Sequence, residues 1–94
     1  MAWVYMLRCR DGSYYVGSTR SLDARVWQHQ NGLGAEYTRH RLPVELVWAL
    51  ECERVDEAFA LEKRIQGWSR AKREALIRGD YDVLPWLSRG SYRR

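Results

Sequence analysis

Hydrophobic side chains occupy nearly every position at the start of the chain, in an alternating pattern typical of a β-strand. One face of this strand would carry Trp3, Tyr5, Leu7 and Cys9, and the other Ala2, Val4 and Met6. Because both faces are apolar, we expect a strand that is covered on both sides or lies centrally in a sheet. Asp11-Gly12 then predicts a hairpin turn, since glycine accepts a positive φ. Residues 14–18 would return as a second, antiparallel strand.

A helix, a loop and a third strand are predicted next. Ser21 is the expected N-cap of the helix, which runs to about Gln30. A polar, basic loop would cover residues 32–43. The third strand would cover residues 44–50, with Val44, Leu46 and Trp48 opposite Val47 and Ala49.

Two further helices complete the predicted order. The second is expected to begin at an Asp56 cap and end near Trp68, and the third to run from Ser69 to about Ile77. The order β-β-α-β-α-α predicts an α+β domain with a small three-stranded antiparallel sheet flanked by helices. We expect residues 1–94 to form a single domain, with a core over about 2–79 and a basic C-terminal extension over about 80–94.

Composition favours a packed globule, because 46% of the residues are hydrophobic and 13% aromatic. No apolar run approaches the ~20 residues that span a bilayer. No signal peptide is visible, so we expect a cytoplasmic protein without membrane association. Cys9 and Cys52 lack the closely spaced partners of a metal site and are expected to be reduced core or edge residues.

Positive charge is concentrated near the C-terminus. Basic and acidic residues balance over 1–69, so residues 70–94 hold the whole net charge of +4. A basic surface attracts nucleic acid through counterion release. A solubilising tail would have the same composition, and charge alone does not separate the two.

The first predicted helix places a cationic side chain, that of Arg25, on the side that faces the protein body. At about 100° per residue, its inner stripe consists of Leu22, Arg25, Val26 and His29. An inward guanidinium is costly unless an anion meets it. The anion would be an internal carboxylate or a ligand such as phosphate.

Glu62 lies at the edge of the apolar stripe of the second predicted helix. A carboxylate at this position fits a divalent cation, a salt bridge to Arg25 or a solvated rim. Tyr5 and Tyr15 on the hairpin are typical packing residues. Gly17 inside the second strand instead indicates a close approach beside Tyr15, with space for an anionic substrate.

These residues resemble the GIY-YIG nuclease superfamily, in particular its small stand-alone bacterial members. Its first motif corresponds to Trp3-Val4-Tyr5, in which Trp3 replaces the glycine, and its second to Tyr15-Val16-Gly17. The family's helix arginine falls on Arg25 and its metal-binding glutamate on Glu62. The resemblance covers residues 3–77. It differs from the DNA-repair branch at Ser18, where that branch has a lysine.

The resemblance implies a GIY-YIG endonuclease fold and a metal-dependent endonuclease. One Mg²⁺ or Mn²⁺ would bind Glu62, and Arg25 would contact the scissile phosphate. Tyr5 would orient the water or the phosphate. The general base stays open between Tyr15 and His29, because an ordinary phenol has a pKa of ~10 and an imidazole is better suited.

DNA is the expected partner, in structured, branched or damaged form during repair or recombination. With no separate DNA-binding domain, contacts would come from Tyr37, Arg39, Arg41, Arg70, Lys72 and Arg73. Tyr37 would stack on an unpaired base or pack under its loop. The alternatives are a non-catalytic nucleic-acid-binding module on the same fold, and a protein-interaction adaptor with an exposed patch of Trp27, Trp48, Trp68 and Trp86. Whether a second copy or an accessory protein takes part stays open.

Overall fold

The computed structural model describes residues 1–80 and confirms the α+β class. Its antiparallel sheet has the order β2-β1-β3, formed by β1 (Ala2–Arg8), β2 (Tyr14–Thr19) and β3 (Glu45–Cys52). The helices are α1 (Leu22–Gln30), α2 (Glu36–Arg39), α3 (Val55–Gln66) and α4 (Arg70–Arg78). The predicted basic extension, apart from Asp80, lies outside the described residues. No helix within residues 1–80 is long and apolar enough to cross a membrane.

β1 is the central strand and is buried on both faces, as its sequence predicts. Its even-numbered side chains enter the first core cluster, formed by Ala2, Val4, Met6, Tyr14, Val16, Trp48, Cys52, Ala58, Leu61, Ile65 and Leu76. Its odd-numbered side chains enter the second core cluster, formed by Tyr5, Leu7, Cys9 and Val44. The two cysteines are buried and free, one in each cluster.

The hairpin between β1 and β2 has the predicted turn. Gly12 has a φ of 86°, which favours glycine. Asp11 fixes the turn because its Oδ1 accepts hydrogen bonds from the Ser13 backbone N–H and the Ser13 hydroxyl. The resulting register places Gly17 directly opposite Tyr5.

The predicted faces of β3 are wrong. Met6 pairs with Trp48 and Leu7 with Leu46, so Val47 is an extra residue in a β-bulge. The bulge breaks the alternation of side chains. Val44 therefore lies in the second core cluster and Trp48 in the first, rather than on one face.

Two local expectations also need correction. The predicted loop over residues 32–43 contains the single turn α2, which is too short to produce a helical pattern in the sequence. The N-cap of α3 is Arg54 and not Asp56. Asp56 lies in the first turn, where both of its carboxylate oxygens accept hydrogen bonds from Arg54. The predicted start of the third helix at Ser69 is confirmed, because Ser69 is the N-cap of α4 and its hydroxyl accepts the Lys72 N–H at 3.2 Å.

The tryptophan patch of the adaptor alternative is not found within the described residues. Trp48 is 9% exposed, and Trp68 packs against the first core cluster. Trp27 is exposed on α1, and Trp86 lies outside the described part of the chain. Trp48 and Trp68 thus contribute to the packing of the core.

The packing of α3 on the sheet should dominate stability. Replacing the fully buried Ile65 with alanine (Ile65→Ala) should lower the free energy of unfolding by about 2–5 kcal/mol, because it removes buried methylenes and leaves a cavity. Phe59→Ala on the same helix is the control, since Phe59 is 53% exposed and should cost under about 1 kcal/mol. Denaturant unfolding measures both, and equal losses would contradict this packing.

Candidate active site

A buried hydrogen-bond chain joins β1, α1 and α2. The Tyr5 hydroxyl lies 2.8 Å from His29 Nε2, and His29 Nδ1 lies 2.8 Å from Thr38 Oγ1. Thr38 Oγ1 in turn donates to the Ala35 carbonyl oxygen at 3.0 Å. All three linked side chains are nearly or wholly inaccessible to solvent. His29 therefore faces inward, as the helical projection predicts.

Two glycines leave the space that this hydrogen-bond chain occupies. A Cβ at Gly17 would lie 2.5 Å from the Tyr5 hydroxyl oxygen and 2.7 Å from Tyr5 Cζ. A Cβ at Gly34 would collide with the His29 ring, including Cε1 at 2.9 Å. The close approach expected at Gly17 is present, but its nearest neighbour is Tyr5; Tyr15 is farther away, at 3.2 Å.

Tyr15 connects the buried chain to the surface. Its ring centroid lies 5.1 Å from that of His29 and 6.4 Å from that of Tyr5. On another side it stacks with the exposed Tyr37, with centroids 6.0 Å apart. The predicted tyrosine pair and histidine thus form one aromatic cluster that reaches solvent through Tyr37.

Arg25 is half-buried beside these rings. Its guanidinium donates to Gln28 Oε1 at 2.8 Å, and no carboxylate of residues 1–80 lies within ion-pairing distance. Of the two partners expected for an inward arginine, the internal carboxylate is thus not found in the described chain. The guanidinium also lies within hydrogen-bonding reach of the Tyr5 and Tyr15 hydroxyls, so only part of its five N–H groups is left for an anionic ligand.

Glu62 approaches from α3, and both of its carboxylate oxygens are positioned by neighbours. Ser18 Oγ donates to Oε1 at 2.6 Å, and Gln66 Nε2 donates to Oε2 at 2.8 Å. The Glu62 side chain is 13% exposed. Ser18, which stands where the DNA-repair branch has a lysine, therefore orients the carboxylate in this chain.

The donor set around Glu62 fits a hard divalent cation held by one protein carboxylate. Within residues 1–80, no three His, Cys, Asp or Glu side chains are grouped to hold a metal. Each Glu62 oxygen accepts one hydrogen bond and keeps a further lone pair. Mg²⁺ typically retains several waters and binds one or two carboxylates together with substrate phosphates.

The surroundings of Tyr5, Tyr15 and His29 shift the pKa values of all three side chains. Burial raises the pKa of Tyr5 to about 12, although the Arg25 guanidinium opposes the shift. Burial also raises the pKa of Tyr15, again opposed by Arg25. The pKa of His29 falls to about 4, first through burial and then through repulsion from Arg25. At neutral pH the phenols are therefore protonated and the imidazole is uncharged.

Only two of the residues expected to bind nucleic acid line the same groove. Tyr37 and Arg73 line one groove of about 330 Å³, together with Tyr14, Tyr15, Val16 and Gln66. Arg39 is exposed and forms no side-chain hydrogen bond or ion pair with the described residues. Lys72 lies over the Trp68 ring at 5.5 Å.

Three of the expected DNA-binding arginines also hold the fold together. Arg41 pairs with Asp11 at 3.1 Å and lies 3.8 Å from the Tyr37 ring centroid. Arg70 pairs with Glu74 and donates to the Gly12 carbonyl. Arg73 donates to the carbonyls of residues 65 and 66 at the end of α3. Their charges remain, but part of their donor capacity is already used.

Sequence reasoning missed four residues of this site: Gly34, Thr38, Ser18 and Gln66. Thr38 and Gly34 lie in the predicted loop over residues 32–43, within the stretch Gly34-Ala35-x-Tyr37-Thr38, which is similar to the stand-alone members of the family. Gln66 lies four residues after Glu62, a spacing at which helical side chains meet.

Comparison with known proteins identifies relatives over most of the chain. Residues 1–75 match the family model of the GIY-YIG catalytic domain. UPF0213 protein BH0048 of Halalkalibacterium halodurans is 43% identical, over 92% of this chain and 95% of its own. UPF0213 protein VNG_2274C of Halobacterium salinarum is 45% identical, over 82% and 100%. The solution NMR structure of UPF0213 protein BH0048 from Bacillus halodurans is similar with a TM-score of 0.54 and 41% identity, over 82% of this chain and 83% of that one.

Gly17→Ala should displace Tyr5, because the new methyl group would lie within the contact distance of the phenol. We expect a loss of about 1–3 kcal/mol in the free energy of unfolding from overpacking. Gly67→Ala is the matched control, since its Cβ would meet only the Arg64 carbonyl at 3.5 Å. Thermal or denaturant unfolding measures both variants, and equal stability would show that Tyr5 moves freely.

Acid should weaken the fold through His29. Its pKa is about 4 in the folded state against an ordinary 6.5, so between these values the unfolded chain binds the proton and the folded chain does not. The free energy of unfolding should therefore fall by about 2–3 kcal/mol as pH drops from 6.5 to 4.

His29→Gln should remove this part of the pH dependence, whatever its effect on stability at neutral pH. His40→Gln is the control, because the His40 side chain is exposed. Unfolding followed at several pH values gives the slopes. The same slope in wild type and His29→Gln would exclude His29 as the source.

Proposed function

Because this chain belongs to the GIY-YIG catalytic-domain family, we propose that it is a metal-dependent endonuclease that hydrolyses phosphodiester bonds in DNA. The observation that carries the proposal is the unpaired, half-buried Arg25 beside Tyr5 and Tyr15. Structured, branched or damaged DNA in the cytoplasm is the proposed substrate.

Arg25 binds the scissile phosphate in this proposal. Its free N–H groups suit a phosphate oxygen, and they stabilise the charge that develops there during hydrolysis. A phosphate would also supply the anion that Arg25 lacks among residues 1–80. Glu62, held by Ser18 and Gln66, would bind Mg²⁺ or Mn²⁺. When bound, the cation neutralises phosphate charge and stabilises the leaving oxygen.

His29 accepts the proton of the attacking water through Tyr5. The imidazole is uncharged but inaccessible, and its Nε2 contacts the Tyr5 hydroxyl, through which it would receive the proton. As the water oxygen bonds to phosphorus and the bond to the leaving oxygen breaks, the water proton passes to the Tyr5 oxygen. The Tyr5 proton passes to Nε2. A bound phosphate favours the resulting imidazolium because it offsets the Arg25 charge.

Tyr15 orients the substrate in this scheme, together with Tyr37. Tyr15 has a raised pKa and no hydrogen-bond acceptor for its proton among the described residues. It lines the groove that also contains Tyr37 and Arg73. The proposed roles of the two tyrosines therefore differ from those the family resemblance suggested, with Tyr5 on the proton path and Tyr15 at the substrate.

Glu62→Gln and Arg25→Ala should each slow DNA cleavage by about 10²–10³-fold, because each removes charge stabilisation at the phosphate. Supercoiled, single-stranded and branched DNA are incubated with wild type and variants in Mg²⁺, in Mn²⁺ and in chelator. Glu57→Gln, exposed on the same helix, and Arg54→Ala, whose exposed guanidinium pairs with Asp56, are the matched controls and should keep wild-type rates.

Each outcome of this assay has a distinct meaning. Equal cleavage by wild type, Glu62→Gln and Arg25→Ala would identify a contaminating nuclease. Salt-dependent DNA binding without cleavage by wild type would favour the non-catalytic binding module. Cleavage that persists in chelator would contradict the metal requirement and leave the nuclease assignment in place.

A further inference from the structure

Thr38 is fully buried, like its hydrogen-bond partner His29. Its hydroxyl contacts the ring nitrogen of His29 that faces away from Tyr5. We infer that Thr38 is a positioning residue, which fixes the neutral His29 ring with its proton on Nδ1 and leaves the Nε2 lone pair facing Tyr5. The tautomer is independent of the proposed function; only its catalytic consequence rests on that function.

The proton of the Thr38 hydroxyl is directed to a backbone acceptor. A hydroxyl has a single proton, and the geometry directs it to the Ala35 carbonyl oxygen at 3.0 Å. The Thr38 oxygen then faces Nδ1 with its lone pairs. A hydrogen bond at 2.8 Å between them requires the proton on Nδ1.

Tyr5, at the other end of the hydrogen-bond chain, also constrains the tautomer of His29. The Arg25 guanidinium, which can only donate, lies close enough to the Tyr5 oxygen to oppose the rise in the pKa of Tyr5. The Tyr5 proton needs a separate acceptor, and His29 Nε2 is the acceptor within hydrogen-bonding distance in the described chain. Tyr5 therefore donates to Nε2, which must be unprotonated. Both ends require the same tautomer.

The single turn α2 gives Thr38 this position. Ala35 precedes the turn in an extended conformation and accepts both the Arg39 N–H and the Thr38 hydroxyl. The absence of a side chain at Gly34 lets this segment approach the His29 ring. The same turn carries Tyr37 on its outside, against Tyr15.

The tautomer decides whether His29 can act as a base. With the proton on Nδ1, Nε2 can take the Tyr5 proton while Tyr5 takes one from water. With the proton on Nε2, the imidazole would donate to Tyr5, and the path from water would be closed. A hydroxyl at residue 38 therefore matters through hydrogen bonding and not through volume.

The direct test is NMR of the protein labelled with ¹⁵N in its two histidines, without substrate. The ¹⁵N shifts distinguish a protonated ring nitrogen from a bare one, and His40→Gln assigns the two rings. Wild type and Thr38→Ser should show His29 protonated on Nδ1. Thr38→Val, which keeps the shape but lacks the hydroxyl, should shift His29 toward the Nε2-protonated form or a mixture.

Cleavage assays supply the second measurement. Thr38→Val should lower kcat by about 10²-fold, the scale of general-base catalysis, with little change in KM. Thr38→Ser should restore most of the rate. A loss that came from packing alone would not be rescued by serine, which is smaller than threonine.

A wild-type ring protonated on Nε2 would overturn the inference, whatever the variants do. Nδ1 protonation that persists in Thr38→Val would equally remove Thr38 as its cause. If Thr38→Val does not fold, the wild-type and Thr38→Ser spectra still decide the tautomer. If wild type cuts no DNA, the spectra still decide it, and the failure belongs to the proposed function.

Discussion

The hydrogen bond between Tyr5 and His29 is the constraint around which the site is built. Neither group is accessible to solvent, and an unpaired buried polar group costs about 1–3 kcal/mol. The pair therefore requires partners from elsewhere in the fold: Thr38 on the far side of the imidazole, and space at Gly17 and Gly34. One polar contact thus determines how closely β2, α1 and the segment carrying α2 approach β1.

The two faces of the sheet differ in how much apolar core they carry and in which candidate site residues they bear. The first core cluster, under α3, is large and almost wholly apolar, whereas the second has only four fully packed members, and one of these is Tyr5. β2 is an edge strand, and α3 covers the first face of the sheet. Glu62 of α3 accepts a hydrogen bond from Ser18, and Tyr15 lies on the opposite face of β2. The two halves of the candidate site thus meet at the edge of β2.

Much of this arrangement could be predicted because it depends on neighbours in sequence. The alternation of apolar residues predicted that β1 is buried on both faces, and helical spacing predicted that Arg25 and His29 face inward. The β3 bulge could not be predicted, since the extra residue Val47 is defined only by pairing with β1. The role of Thr38 was hidden for a similar reason. A threonine in a polar segment resembles any loop threonine until the fold buries it against His29.

The arginines show why a count of charges does not locate a binding surface. Arg41 and Arg70 pair with carboxylates, so their fields are largely cancelled nearby. Arg73 is bound to carbonyl oxygens only, and these leave its full charge beside the groove of Tyr15 and Tyr37. Arg25 has no carboxylate partner among the described residues, and it is partly shielded from water. Its electrostatic attraction to an anion is strengthened by this shielding. Attraction to a phosphate should therefore be governed by these two guanidiniums, Arg73 at the groove and Arg25 beside Tyr5 and Tyr15, more than by the net charge of +4.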